Sequence, residues 1–99
     1  MMQFRLRDAA RLDLAEIWLA TAERWGIDQA DDYVRALEDC LLRICDFPAS
    51  YPKYEGYHGT FRKALSGEHL IFYRVGQQVI DVVRIIHNRM DVEEALRRP

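Results

Sequence analysis

The sequence predicts an α+β domain: an N-terminal short strand, then an antiparallel α-hairpin packed on one face of a three- to four-stranded, mainly antiparallel β-sheet. Residues 9–46 carry apolar side chains at helical spacing, interrupted once, at Gly26-Ile27-Asp28. From Phe61 onward the apolar period changes to two, the period of a strand. The links Ser66-Gly67-Glu68 and Gly76-Gln77-Gln78 are too short for anything but antiparallel neighbours.

Gln3 to Arg7 reads as the first strand, with Phe4 and Leu6 on one face. Asp8 is the expected N-cap of a helix reaching Trp25, and Gly26 its stop. Leu14, Ile17, Trp18, Thr21, Ala22 and Trp25 make one continuous stripe, which assigns Trp18 and Trp25 to the core. Asp28 is expected to cap the second helix, and Asp31 and Asp32 suit the positive end of its dipole. The inward stripe of that helix is Ala30, Tyr33, Val34, Leu37, Leu41 and Ile44, and Pro48 ends it. Three linking residues force the two helices to fold back on each other.

Pro48 to Gly59 reads as a loop packed on the domain, with prolines at 48 and 52, glycines at 56 and 59, and tyrosines at 51, 54 and 57. Phe61–Leu65, His69–Val75 and Val79–Asn88 read as strands. Setting Val75 opposite Val79 puts Leu70, Phe72, Arg74, Ile80, Val82, Arg84 and Ile86 on one face. His69, Ile71, Tyr73, Val75, Val79, Asp81, Val83, Ile85 and His87 then fall on the other. A helical hairpin covers one face, and the more β-branched second set is assigned to it. The first set is left as an open apolar surface with two arginines, the kind of surface that marks a partner site. Met90 to Arg98 has the pattern for one or two helical turns with Val92 and Leu96 inward, or for a frayed tail.

At 99 residues the chain is expected to be a single domain, 1–99. No stretch approaches the roughly 20 apolar residues of a membrane helix, and Met1 to Arg11 has no apolar core of a signal peptide. A cytoplasmic location follows as the expectation. Cys40 and Cys45 are turned about 140° apart on a helix, which excludes a bridge and leaves buried thiols. The net charge is −2; a phosphate-gripping protein normally carries a basic surplus, so direct nucleic-acid binding is disfavoured. The charge is uneven: through Ala49 six arginines oppose ten acids, and from Ser50 eight bases oppose six acids.

Three stretches, in this order, resemble the ParE/RelE toxin superfamily, and its ParE branch in particular. They are DLAEIWLATAERWG at Asp13–Gly26 followed by QADDYVRALE at Gln29–Glu38, then HLIFYRV at His69–Val75, then VVRIIHNRMD at Val82–Asp91. The resemblance covers almost the whole chain. It implies the toxin of a bacterial type II toxin–antitoxin pair, neutralised by a cognate antitoxin in a hetero-oligomer. The implied antitoxin has a ribbon-helix-helix DNA-binding part and a flexible C-terminal segment. For ParE toxins the implied target is DNA gyrase, inhibited by binding and without a cofactor. RelE-like relatives cut messenger RNA on the ribosome, and a non-toxic, antitoxin-binding relic is a third reading. Fold alone does not choose among them.

RNA cleavage needs a base for the 2′-hydroxyl, cations for the phosphate and an acid for the leaving oxygen. RelE-like nucleases supply these from basic residues on the sheet and an aromatic or histidine near the C-terminus. Here Arg62 and Arg89 match that pattern, while Ala64 and Leu70 stand where bases are expected, and the last tyrosine is Tyr73. His87, beside Arg84 and Arg89, is the remaining acid–base candidate. The inventory favours a binder over an enzyme. The expected partner-binding residues are Leu70, Phe72, Arg74, Ile80, Val82, Arg84 and Ile86, and the spacing of His58, His69 and His87 suggests no metal site.

Overall fold

The computed structural model describes residues 2–97. Its elements in chain order are β1 (Gln3–Leu6), α1 (Asp8–Trp25), α2 (Ile27–Asp46), β2 (Lys53–Gly56), β3 (Gly59–Ser66), β4 (His69–Val75), β5 (Val79–His87) and α3 (Val92–Leu96). The five strands form one sheet in the order β1-β5-β4-β3-β2. β1 is parallel to β5 and every other pair is antiparallel. The sheet is thus wider than expected by β2, which lies inside the stretch read as a loop and pairs Tyr54 with Phe61. Arg98, the end of the expected C-terminal turns, lies outside the described residues.

The helical hairpin forms as expected, with the cap positions one residue earlier for α1 and two earlier for α2: Arg7 precedes α1 and Gly26 precedes α2. Gly26 has φ +97°, a conformation that an L side chain resists, which lets a single residue link the helices. α2 buries Ala30, Leu37, Cys40, Leu41, Ile44 and Cys45. All of these but Ala30 close on Ile71, Tyr73, Ile80, Val82 and Ile85 of the sheet and on Ala10 and Ile17 of α1. Both cysteines are free and buried, and burial pushes both thiols up. Trp18 and Trp25 depart from the expectation. Trp18 is half-buried and donates its indole N–H to Asp31 Oδ1 at 2.9 Å, while Trp25 is 61 % exposed. The helical stripe is wider than the sheet it faces, so its outer members stay at the surface.

The other sheet face carries a second core. Phe61, Phe72, Val83 and Ile86 pack beneath Ala95 and Leu96 of α3, with Tyr54, Leu70 and Val92 at the margin. The cover is fastened by Glu93, whose carboxylate accepts from the Tyr54 hydroxyl and, at 2.9 Å, from the Tyr57 backbone N–H. Asp91 caps α3 by accepting from the Glu94 amide. The carboxylate beside it pushes the Tyr54 hydroxyl up to about 12.

Candidate partner-binding site

The face expected to be open is therefore closed in its middle, and register explains part of the difference. Val75 pairs with Ile80, not Val79, and a β-bulge follows between Phe72 and Tyr73. A one-residue slip exchanges the faces of a strand, and a bulge exchanges them back. Ile80 and Val82 accordingly turn toward the helices and are fully buried there, while Asp81 and Val83 take the opposite side. Beyond the bulge each residue keeps its expected face but the register is two residues on, with Ile71 opposite Ile85 and His69 opposite His87. Phe72 and Ile86 stay on the predicted face but lie beneath α3. Of the seven residues assigned to the partner, Arg74 is exposed and Leu70 half-buried; Phe72, Ile80, Val82 and Ile86 are buried. Arg74 lies over the Phe61 ring at 4.4 Å and donates to the His58 carbonyl at 2.9 Å.

Arg84, expected to meet an acidic partner, is committed inside the domain. Its Nε and Nη2 donate to the two carboxylate oxygens of Asp13 at 2.7 and 2.8 Å, and its Nη1 to the Ala95 carbonyl at 2.6 Å. Asp13 also accepts from the Ile85 amide at 2.9 Å. One fork-to-fork pair thus joins α1, β5 and α3, and additional hydrogen bonds of this kind allow a buried pair to repay its desolvation. The sequence holds no local sign of it, because the partners are 71 positions apart.

At the far end of β5, His69 and His87 meet edge to face, with ring centres 5.3 Å apart. Tyr33 of α2 accepts from the Glu68 amide at 2.9 Å, and its hydroxyl lies 2.6 Å from His69 Nδ1. The phenol proton is then left for Nδ1, which assigns the Nε2–H tautomer to His69. Burial, and next the neighbouring His87, hold His69 below the ordinary histidine range. The turn before it needs Gly67, at φ +59°, because a Cβ there would meet the Tyr33 hydroxyl at 2.6 Å.

A groove runs from this pair along α1. Its walls come from α1 between Asp13 and Trp25 and from the end of β5 through Met90; Ile17, Ile85 and Ile86 are among its apolar lining. Trp25 and Met90, both exposed, line it too. Arg24, Arg89, Glu16 and Glu68 supply its charge besides the Asp13–Arg84 pair. The sequence signal for this site was present but was read as core, since Trp25 continues the buried stripe of α1.

Of the three catalytic candidates, His87 and Arg89 adjoin, and Arg62 lies apart from them. His87 Nδ1 accepts from the Arg89 amide at 3.1 Å and Nε2 faces Glu68 at 4.0 Å. Arg62 pairs across from Tyr73, four residues along β3 from the Ser66–His69 end where His87 sits. At 3.3 Å per residue that is about 13 Å along the strand. The Arg62 guanidinium donates to the Tyr51 carbonyl at 2.6 Å. His58 lies in the turn between β2 and β3, and among the described residues no three potential ligands gather around a metal position.

Residues 4–92 match the family model described as the ParE toxin of the type II toxin–antitoxin system parDE. The chain is 41 % identical over 95 residues to Toxin ParE1 of Mycobacterium tuberculosis, covering 95 % of this chain and 97 % of that protein. It is 35 % identical over 96 residues to Toxin ParE1 of Caulobacter vibrioides, covering 97 % and 99 %. The fold matches a solved chain from the chromosomal ParDE system of P. aeruginosa with a TM-score of 0.76, at 17 % identity and 88 % and 96 % coverage. With its helical hairpin, its five-stranded sheet and this match along nearly its whole length, the chain belongs to the ParE toxin family of type II toxin–antitoxin systems.

Proposed function

We propose that this toxin acts as a single domain in the cytoplasm and poisons DNA gyrase by binding it, without chemistry of its own. The observation that carries this reading is the separation of Arg62 from His87 and Arg89, which adjoin each other at the far end of β5. His87 is occupied by the Arg89 amide, and Arg62 is tied to the Tyr51 carbonyl well along the sheet. A general base, phosphate-binding cations and a proton donor must converge within hydrogen-bond reach of one phosphodiester. The partner that silences the toxin is its cognate antitoxin, for which we propose a ribbon-helix-helix protein whose flexible C-terminal segment folds on the toxin.

Purified toxin added to gyrase and relaxed plasmid is expected to block supercoiling and to leave cleaved DNA covalently held by the enzyme. His87→Ala should retain growth inhibition within about threefold of the wild type. Normal supercoiling, together with codon-specific messenger RNA cleavage that vanishes in His87→Ala, would replace this reading with the nuclease one.

A further inference from the structure

The turn between β2 and β3 is anchored from both ends. The Tyr57 amide donates to Glu93 at 2.9 Å on one side, and Arg74 donates to the His58 carbonyl at 2.9 Å on the other. Gly56 and Gly59 flank the turn, and a Cβ at either would strike Glu93 or Arg74 at 2.6 Å. The side chain held out by this anchoring, Tyr57, is nevertheless 94 % exposed, with its ring centre 6.1 Å from that of His58. A fixed, bare aromatic ring adds nothing to the core but offers a flat face to a ligand. Beside it lies a small cavity walled by Arg7, Arg74, Arg97 and His58 over Phe61 and Leu96, and among the described residues no acid lines it. We propose that turn and cavity together bind single-stranded nucleic acid, with a backbone phosphate among the three arginines and an unstacked base on the Tyr57 ring. This site goes beyond the gyrase reading and does not depend on it.

Charge and ring chemistry identify the ligand. The acids around the cavity are already engaged: Asp81 accepts two bonds from Arg7, Glu94 pairs with Arg97, and Glu93 holds Tyr54 and Tyr57. Arg5, Arg7, Arg74 and Arg97 are set against these three carboxylates, an excess of one positive charge. Arg74 carries that excess. It stands opposite Asp81 across the β4–β5 ladder, but among the described residues no ion pair engages it. Its guanidinium lies 4.4 Å over the Phe61 ring instead, which preorganises it for an incoming anion. Arg7 and Arg97 keep N–H groups beyond their ion pairs, since a guanidinium carries five. A carboxylate would satisfy the arginines and leave Tyr57 bare, whereas a nucleotide brings a phosphate and a flat aromatic face together. A duplex keeps its bases stacked on one another, so the ring selects a single strand. A net charge of −2 disfavours nucleic acid for the surface as a whole. The fold makes a local exception by gathering arginines from positions 7, 74 and 97.

The test follows the fluorescence anisotropy of short labelled oligo(dT) and oligo(rU) as full-length toxin is added. Both should bind, and the tighter of the two identifies the strand as DNA or RNA. Binding is expected to weaken roughly tenfold in Tyr57→Ala, which loses one stacked base, and to stay within about twofold in Tyr57→Phe, which keeps the ring. Arg97→Gln should reduce the slope of log affinity against log salt by about 0.7, the value for one phosphate contact on a single strand. Arg35→Gln makes the same charge change on the exposed side of α2 and should leave the slope as it was. Circular dichroism of each variant checks that the fold is kept. Toxin that binds neither oligonucleotide, or a folded Tyr57→Ala or Arg97→Gln toxin that matches the wild type in affinity and slope, would overturn the site. So would polyglutamate that displaces the oligonucleotide equally well from wild type and Tyr57→Ala, which would mark the cavity as a seat for acidic protein segments. Any of these results with gyrase still inhibited leaves the proposed target standing. Oligonucleotide binding as expected beside uninhibited gyrase would do the reverse.

Discussion

Asp13 and Arg84 sit at the one place where three elements share a charged contact, and each is largely withdrawn from water. Removing one partner leaves the other charge buried, a loss that typically costs about 3–5 kcal/mol. Asp13→Ala should therefore lower the denaturant midpoint sharply, while the double variant Asp13→Leu with Arg84→Met should regain most of the loss. Chemical denaturation with an unchanged slope would measure both. His69 makes a second prediction, one of sign. Its folded pKa lies below the ordinary value of 6.5, so on acidification the unfolded chain takes up a proton before the folded one does. Stability is then complete above about pH 6.5 and declines as the pH falls from there toward the folded pKa. Thermal melts between pH 8 and 5.5 should show that decline in the wild type and less of it in His69→Gln. Neither group was legible as such in the sequence. Arg84 was recognised as an unusual arginine amid apolar neighbours, but an arginine paired inward and one awaiting a partner leave the same mark on a single strand. Only the fold brings Asp13 to it.

Among the elements, those with a strong period were the ones that could be read. α2 has most of its apolar residues on one side, and of its expected inward positions Ala30, Leu37, Leu41 and Ile44 are buried while Tyr33 and Val34 are half-buried. β2 was missed because four residues, Lys-Tyr-Glu-Gly, carry too short an alternation to distinguish a strand from a loop. α3 is more instructive. Its inward residues Val92 and Leu96 were foreseen, but not where it docks, since five residues say nothing about which face they cover. That docking changes the sheet from one-sided to two-sided and buries Phe72 and Ile86. Leu96→Ala should consequently cost about 2–4 kcal/mol, the range for truncating a buried leucine, and should speed amide hydrogen exchange in β4 and β5 near Phe72 and Ile86. The fastening at Glu93 adds a pH dependence in a different window from His69. Hydrogen bonds from Tyr54 and the Tyr57 amide hold that carboxyl below its ordinary value, so its contribution is present above about pH 4.5 and fades as acid protonates it. An exchange pattern in Leu96→Ala identical to the wild type would show that α3 does not protect the sheet.

At the scale of the whole molecule, membership of a toxin–antitoxin family and a first helix with Leu12, Leu19 and Trp25 exposed describe a protein built to be held by another. An antitoxin that binds the native toxin has no folded surface to bind once the toxin unfolds, so it stabilises by mass action. At a free antitoxin concentration 100-fold above the dissociation constant, the gain is about 2.7 kcal/mol. For a domain of this size each kcal/mol moves the melting temperature by about 4–8 °C, so the toxin should melt roughly 10–20 °C higher in the complex. The same arithmetic separates partner binding from nonspecific crowding, which stabilises by about 0.2–1 kcal/mol whatever the crowder. The shift should therefore grow with the logarithm of antitoxin concentration. Differential scanning calorimetry across a hundredfold range of antitoxin would show it. A melting temperature independent of antitoxin concentration would mean that the antitoxin does not bind the native toxin in preference to the unfolded chain.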